Sequence, residues 1–211
     1  EQINFTVEVE LLNQPTTNIY KFDPSFNGTG SVYLNGQLVA NDTNSIPTIN
    51  TFGENIIRIV GNNGYYKEFT IILSPKIEGV VDGDSKTSFN INVISDCEVM
   101  IDDSVKDNEI KNYKEIGNHT LTLIGVNDYS YSLDFTVVED YVIEDTYIDS
   151  FKLSYSSGSV LIDGTRYYSN QTYSKVGNHV VKVTGTNGYS NEYNICIIPN
   201  VSGIEESKEY V

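Results

Sequence analysis

The 211-residue chain has no tryptophan, one methionine, two cysteines, two histidines and five prolines. Zinc needs cysteines and histidines at close spacing, and His119, His179, Cys97 and Cys196 lie far apart. Cys97 and Cys196 also fall at non-equivalent positions of the internal repeat described below, so they read as free or buried thiols and not as a bridge. No run of about 18 apolar residues is present to cross a membrane as a helix. The opening EQINFTVEV is neither basic nor an apolar signal core, which places any secretion signal or anchor outside this stretch. Basic residues are scarce too: 13 Lys and Arg stand against 29 Asp and Glu, for a formal net charge of -16. Such a surface repels nucleic-acid phosphates and anionic lipid, so neither is expected as a partner. The acids are scattered and keep the surface soluble and self-repelling. There is no GxSxG, and no pair among the 29 acids stands out as a glycosidase pair, so no enzyme is expected.

What is abundant is β-forming: 16 Tyr, 8 Phe, and many Ile, Val, Thr and Asn. The chain also repeats itself, and a period of this size governs the fold. "GENIIRIVGNNGY" (53–65), "GNHTLTLIGVNDY" (117–129) and "GNHVVKVTGTNGY" (177–189) share one spacing: Gly53, Gly117 and Gly177 precede Gly61, Gly125 and Gly185 by eight residues. Tyr65, Tyr129 and Tyr189 follow four residues later. Upstream, "VYLNGQ", "VMIDDS" and "VLIDGT" correspond; downstream, "EFTIIL", "DFTVVE" and "EYNICI" do. The intervals Phe69 to Phe135 and Phe135 to Tyr193 are 66 and 58 residues.

Inside each copy apolar residues alternate, as Leu121 and Leu123 do with Thr120 and Thr122, which is the period of a half-buried strand. Asn-Gly and Asp-Gly pairs, including the one in "NNGY", mark hairpins. About six or seven short strands per copy suggest a small sandwich. Segment 10–74 is expected to be the first repeat, 75–140 the second and 141–198 the third. Residues 1–9 read as the final strand of a preceding repeat or an extension, and 199–211 as the start of a further repeat or a tail. The expected fold is all-β: three tandem small immunoglobulin-like β-sandwich domains arranged end to end. Short joints and Pro75 favour a semi-rigid rod.

His119 and His179 occupy equivalent places where the first copy has Asn55. A position filled by imidazole or amide asks for a polar hydrogen-bonding side chain, so both histidines are expected to be structural. Tyr113 and Tyr173 precede the glycine like a corner tyrosine.

The apolar pair before "DG" or "NG", the aromatic-rich stretch, the glycine, the alternating strand and "GTNGY" together resemble the bacterial immunoglobulin-like (Big-type) repeats of Gram-positive surface proteins. The resemblance runs along almost the whole chain. It implies secretion, attachment to the cell wall through other parts of a parent protein, and a role as stalk, spacer or adhesive module; the cysteine scarcity fits a bacterial surface protein. The copies are shorter than usual for that family and no wall-sorting motif is present.

The function expected is therefore a non-catalytic extracellular spacer array in a larger cell-surface protein, monomeric, with neighbouring domains as its partners. One alternative is an adhesin segment that binds host glycan or protein. Another is an accessory module of a secreted polysaccharide-degrading enzyme. For binding, the tyrosines that do not recur, Tyr66, Tyr131 and Tyr168, are the candidate ligand-binding residues, since aromatic faces stack on sugars. No cofactor is expected apart from calcium. Its candidate oxygen ligands are Asp82 and Asp84, with Glu139, Asp140, Glu144, Asp145 and Asp149 around the second joint; solvated surface acids are the competing reading.

Overall fold

A computed structural model describes residues 8–201. The expected strand at residues 1–9 and the unit start at 199–211 lie almost wholly outside them. Among the described residues every regular element is a strand. In chain order these begin with β1 (Glu10–Leu11), β2 (Phe26–Asn27), β3 (Ser31–Leu34), β4 (Gln37–Ala40), β5 (Gly53–Val60) and β6 (Tyr66–Leu73). The middle of the chain holds β7 (Ile77–Glu78), β8 (Asp84–Lys86), β9 (Phe89–Val93), β10 (Glu98–Ile101), β11 (Ser104–Lys106), β12 (Glu109–Tyr113), β13 (Gly117–Ile124) and β14 (Ser130–Val137). The last seven are β15 (Thr146–Ile148), β16 (Phe151–Lys152), β17 (Ser159–Ile162), β18 (Thr165–Tyr167), β19 (Thr172–Tyr173), β20 (Gly177–Thr184) and β21 (Ser190–Ile198).

These strands fall into two compact units. One comprises the residues up to Asp82 with Asn90–Lys111 and Thr120–Leu133; the other comprises Gly83–Phe89, Asn112–His119 and the residues from Asp134 onward. The segment 75–140 contributes to both.

In the first unit β4-β3-β5-β6 form a four-stranded sheet and β1 pairs with β2. Phe22, Phe26 and Ile49 pack with Val32, Ile57, Ile59, Ile71 and Leu73 in one core. The inward residues of β5 are Asn55, Ile57 and Ile59, following the strand period. The same unit contains the antiparallel pair of β10 with β11 and with the second half of β13.

In the second unit β15-β21-β20-β17-β18 form a five-stranded sheet and β16-β19 a two-stranded one. Phe151 and Leu153 from the smaller side share a core with Val160, Ile162, Val181, Val183, Ile195 and Ile197 from the larger. Two sheets closed over a common core make a sandwich. The first strand of the larger sheet, β15, runs parallel to the last, β21, while the strand pairs inside both sheets are antiparallel. The chain crosses from β16 to β17 and back to β19, which is the immunoglobulin-like order. This unit also holds the parallel pair of β8 with β14.

The turns follow the sequence. Asn35-Gly36, Asp102-Asp103 and Asp163-Gly164 all have positive φ at both positions, and each joins two strands through a two-residue loop. The "NNGY" stretch differs from its expected tight hairpin. Val60 pairs with Tyr66, and the Gly61 amide donates to the Tyr65 carbonyl at 2.8 Å, closing a five-residue loop.

Candidate functional site

The two histidines are buried, at 2% and 5% exposure, on the inward face of their strands. Asn55, fully buried, shows what the position does. Its Nδ2 donates to the Thr51 carbonyl four residues back at 2.8 Å. His119 Nε2 meets the Glu115 carbonyl and His179 Nε2 the Lys175 carbonyl, each at 2.7 Å and again four residues back. The side chain thus ties down the carbonyl of the turn that precedes the strand.

The other end of each side chain meets a partner too. Asn35 Nδ2 donates to Asn55 Oδ1 at 3.1 Å, while His179 Nδ1 lies 2.7 Å from Asp163 Oδ2. Tyr113 and Tyr173 place their hydroxyls 3.2 and 3.3 Å from the Nδ1 atoms of His119 and His179, with rings edge-on at 5.0 Å. A corner tyrosine bonds backbone; these bond imidazole. Both nitrogens of both rings are therefore engaged, and neither ring has one left to take a proton from a nucleophile.

Asp163 also accepts from the Val180 amide at 3.0 Å. The hydrogen bond from His179, then that amide, hold its carboxyl below the usual value of 3.8. A lowered folded-state value stabilises the fold above the ordinary carboxylate range, and that contribution disappears as pH falls through the lowered value.

The three glycine pairs have a different task. The Phe52 carbonyl accepts from the Val126 amide at 2.9 Å, and Asn127 Nδ2 donates to the Glu54 carbonyl at 2.7 Å. In the following copy the Ile116 carbonyl accepts from the Thr186 amide at 2.9 Å, and Asn187 Nδ2 donates to the Asn118 carbonyl at 2.7 Å. In both places the strand edge around Gly53 or Gly117 forms a parallel bridge with the next copy's turn. A Cβ on Gly125 would lie 2.2 Å from the Phe52 oxygen, and one on Gly185 equally close to the Ile116 oxygen. Only glycine allows the two backbones to approach this far. The first of these joints lies wholly within one compact unit and the second wholly within the other.

The second joint carries a buried carboxylate. Tyr189 donates to Glu139 Oε2 at 2.6 Å, whereas Glu139 Oε1 and the Tyr141 hydroxyl are buried without a hydrogen-bond partner. Burial first, then the Glu139 carboxylate, raises both tyrosines above their ordinary range.

The expected calcium ligands are not gathered. No group of three or more His, Cys, Asp or Glu suited to a metal occurs among the described residues. Asp84 pairs with Lys86 at 2.7 Å and Asp140 with Lys114 at 3.7 Å. Glu139 is taken by Tyr189, and Asp82 lines a groove beside Tyr131. The Glu144 amide donates to the Tyr147 hydroxyl; Asp145 accepts from the Cys196 amide through its own carbonyl; and Asp149 accepts from the Asn200 amide.

The three non-recurring tyrosines are exposed, at 56%, 40% and 62%, and each has its own surroundings. Tyr66 lies under the Arg58 guanidinium at 4.9 Å, and Tyr168 under that of Arg166 at 5.6 Å. Tyr131 shares a groove of about 440 Å3 with Pro75 and Leu133. Arg58 reaches Glu68 at 2.6 Å and lines a cleft of about 580 Å3 with Tyr33, Asn35 and Asn127. Sequence reasoning singled out Tyr66 but not Arg58, Tyr33 or Glu68. The second copy has Thr122 facing Ser132 at these positions and the third an ion pair of Lys182 with Glu192, so the sequence marks a cross-strand surface pair and did not single out Arg58 as a site residue.

Both cysteines are free. Burial, then the neighbouring Asp96 carboxylate, pushes the Cys97 thiol up to about 11. Cys97 is thus expected to react slowly with a disulfide reagent at neutral pH and faster only as pH rises toward that value or the protein unfolds. A full-rate modification of Cys97 in the Cys196→Ser variant at neutral pH would contradict this.

No family model matches the chain, and no curated protein matches it. Among solved structures it is similar to SGBP-B of the Bacteroides ovatus mixed-linkage glucan utilization locus, in complex with a mixed-linkage heptasaccharide: 13% identity, 93% of this chain and 72% of that one, TM-score 0.22. The insect immune protein hemolin aligns at 9% identity over 91% of this chain and 76% of its own, TM-score 0.24. Sidekick-1 immunoglobulin domains 1–5 align at 9% identity over 90% and 58%, TM-score 0.22. Scores this low do not place the chain in the family of any of the three.

Proposed function

We propose that this chain is a non-catalytic spacer: three tandem immunoglobulin-like repeats, with bounds at 10–74, 75–140 and 141–198, that hold other parts of an extracellular bacterial protein at set positions. The observation that carries this reading is the pair of glycine-dependent joints. Each joins backbone to backbone through the same residues of the repeated phrase, the Phe52 and Ile116 carbonyls on one side and the Val126 and Thr186 amides on the other. A joint made of main-chain bonds fixes orientation irrespective of most side chains, which is what a spacer requires. The full engagement of both histidines supports the absence of catalysis. In this reading the surface acids keep the array soluble, and attachment to a cell wall belongs to other parts of the parent protein.

The test is amide hydrogen exchange on the whole chain. Val126 and Thr186 should exchange as slowly as the strands beside them, because a fixed joint opens no more often than its neighbours. Exchange at the rate of exposed loops would rule out a spacer with fixed joints.

A second reading, binding of host glycan, draws support from the cleft lined by Tyr33, Arg58 and Glu68 and from Tyr66, exposed at 56% and stacked under Arg58. On a glycan array the wild-type chain would then give a saturable signal that Tyr66→Ala lowers by about tenfold, the loss expected for one stacked ring. A spacer gives no saturable signal.

A further inference from the structure

We propose that Val176–Gly177–Asn178 is a vacant docking edge for a second copy of this chain, whose Gly61–Asn62–Asn63 turn is the complementary socket. The inference starts from the two filled joints. Phe52 and Ile116, which precede the glycine, are buried at 4% and 5% exposure, while Val176 in the same position is 56% exposed. A Cβ on Gly53 would strike the Val126 carbonyl and one on Gly117 the Thr186 backbone, yet one on Gly177 would meet nothing within 4 Å. Gly177 keeps the positive φ of its equivalents, +125° beside +108° at Gly53 and +156° at Gly117. The edge is built as for a joint, and no described residue occupies it.

Strand geometry shows why this edge can accept a partner. The Val180 amide donates to Asp163 Oδ1 and its carbonyl accepts from the Asp163 amide, so both face the side of β17. Successive residues of a strand alternate, so the backbone groups of Asn178 face that same side. There β17 has already ended, since its last residue Ile162 pairs with Val181. Asn118 stands in the equivalent place; its amide donates to the Thr186 carbonyl and its carbonyl accepts from Asn187. Asn178 is the same residue type with the same groups to offer.

The first copy's turn carries the matching residues but closes differently. The Gly64 amide donates to the Gly61 carbonyl at 3.0 Å where the Tyr129 and Tyr189 amides donate to Val126 and Thr186, so docking asks this turn to adjust. Gly61 donates to Tyr65 as Gly125 does to Tyr129 and Gly185 to Tyr189, at 2.8, 2.8 and 3.0 Å. Asn63 stands where Asn127 and Asn187 reach across the filled joints, but its Oδ1 accepts from the Tyr65 amide instead. Asn62 is exposed, whereas Val126 and Thr186 are half-buried. An edge on one copy and a turn on another form a heterologous, head-to-tail contact. A few hydrogen bonds over so small an area give millimolar affinity, and the chain stays monomeric when dilute. The proposal rests on the joints that also support the spacer reading, but asks a separate question of different residues.

The experiment titrates the isotopically labelled full chain with unlabelled full chain to millimolar concentration, in salt high enough to screen the like charges. Amide shifts should grow with concentration at Val176–Val180 and at Gly61–Tyr65 and stay small elsewhere. Unlabelled Gly61→Val chain should leave the Val176–Val180 amides of the labelled wild type unmoved. Its Cβ would meet only Asn63 Oδ1 at 3.2 Å and the Tyr65 oxygen at 3.6 Å within its own chain, so the variant folds. Absence of concentration-dependent shifts, shifts centred elsewhere, or an equal effect from Gly61→Val chain would each overturn the proposal. None of these outcomes touches the Val126 and Thr186 exchange that tests the spacer.

Discussion

Replacing Gly185 with valine should lower the thermal midpoint by about 5 °C or more, while the same change at Gly61 leaves it near wild type. The reason is steric. At Gly185 the added Cβ would lie 2.2 Å from the Ile116 carbonyl oxygen and 2.6 Å from its carbon, and both belong to backbone that cannot rotate away. Relief requires the joint to open, which gives up the bonds from Thr186 to Ile116 and from Asn118 to Thr186. Overpacking and two lost backbone bonds together cost about 2–3 kcal/mol, and each kcal/mol moves the midpoint of a chain this size by about 2–4 °C. Gly125→Val should behave alike, since its Cβ would sit 2.2 Å from the Phe52 oxygen. Calorimetry on the three variants checks this. Equal midpoints for Gly61→Val and Gly185→Val would mean that the joints contribute nothing to stability.

The second large effect concerns His179. Its Nε2 meets the Lys175 carbonyl and its Nδ1 the Asp163 carboxylate, so the ring bridges two acceptors. His179→Ala should destabilise by about 3 kcal/mol, because it leaves the Lys175 carbonyl without its partner and opens a cavity beside Tyr173. The double variant Asp163→Asn with His179→Asn should recover more than half of that loss. It recreates the Asn35 and Asn55 pair of the first copy, whose amide reaches the carbonyl four residues back. Recovery is incomplete because Ile49, fully buried, fills the first core where Tyr173 stands. Urea denaturation of the single and double variants gives the coupling directly. If the double variant is no more stable than His179→Ala, the amide pair is not a substitute for the imidazole and the equivalence of the three copies fails.

The pair also sets a pH dependence. The Asp163 carboxyl is held low in the folded state, so its contribution is complete above the ordinary carboxylate range and is lost as acid protonates it. The stability gap between wild type and Asp163→Asn should therefore shrink as pH falls below the ordinary value of 3.8. With Asp163 well exposed to solvent, the gap itself is modest. A gap that widens in acid contradicts the assignment.

Much of this protein was legible in the sequence because strand physics is local. Alternation at Leu121 and Leu123, or at Val181 and Val183, gives the inward face, and all four side chains are fully buried. Asn35-Gly36 and Asp163-Gly164 give their turns because few residues tolerate positive φ. Recurrence identified His119 and His179 as structural, since a position that accepts either imidazole or amide is selected for hydrogen bonding. Tertiary structure alone decided who meets whom. Gly125 and Gly185 look in sequence like turn residues; what they accommodate is the carbonyl of Phe52 or Ile116, about 70 residues earlier in the chain. That Asp84, Asp140 and Glu139 have Lys86, Lys114 and Tyr189 beside them is likewise decided only in three dimensions. Local pattern fixes which way a side chain points, but a contact depends on where a distant stretch of backbone comes to lie, and no period of two residues carries that information.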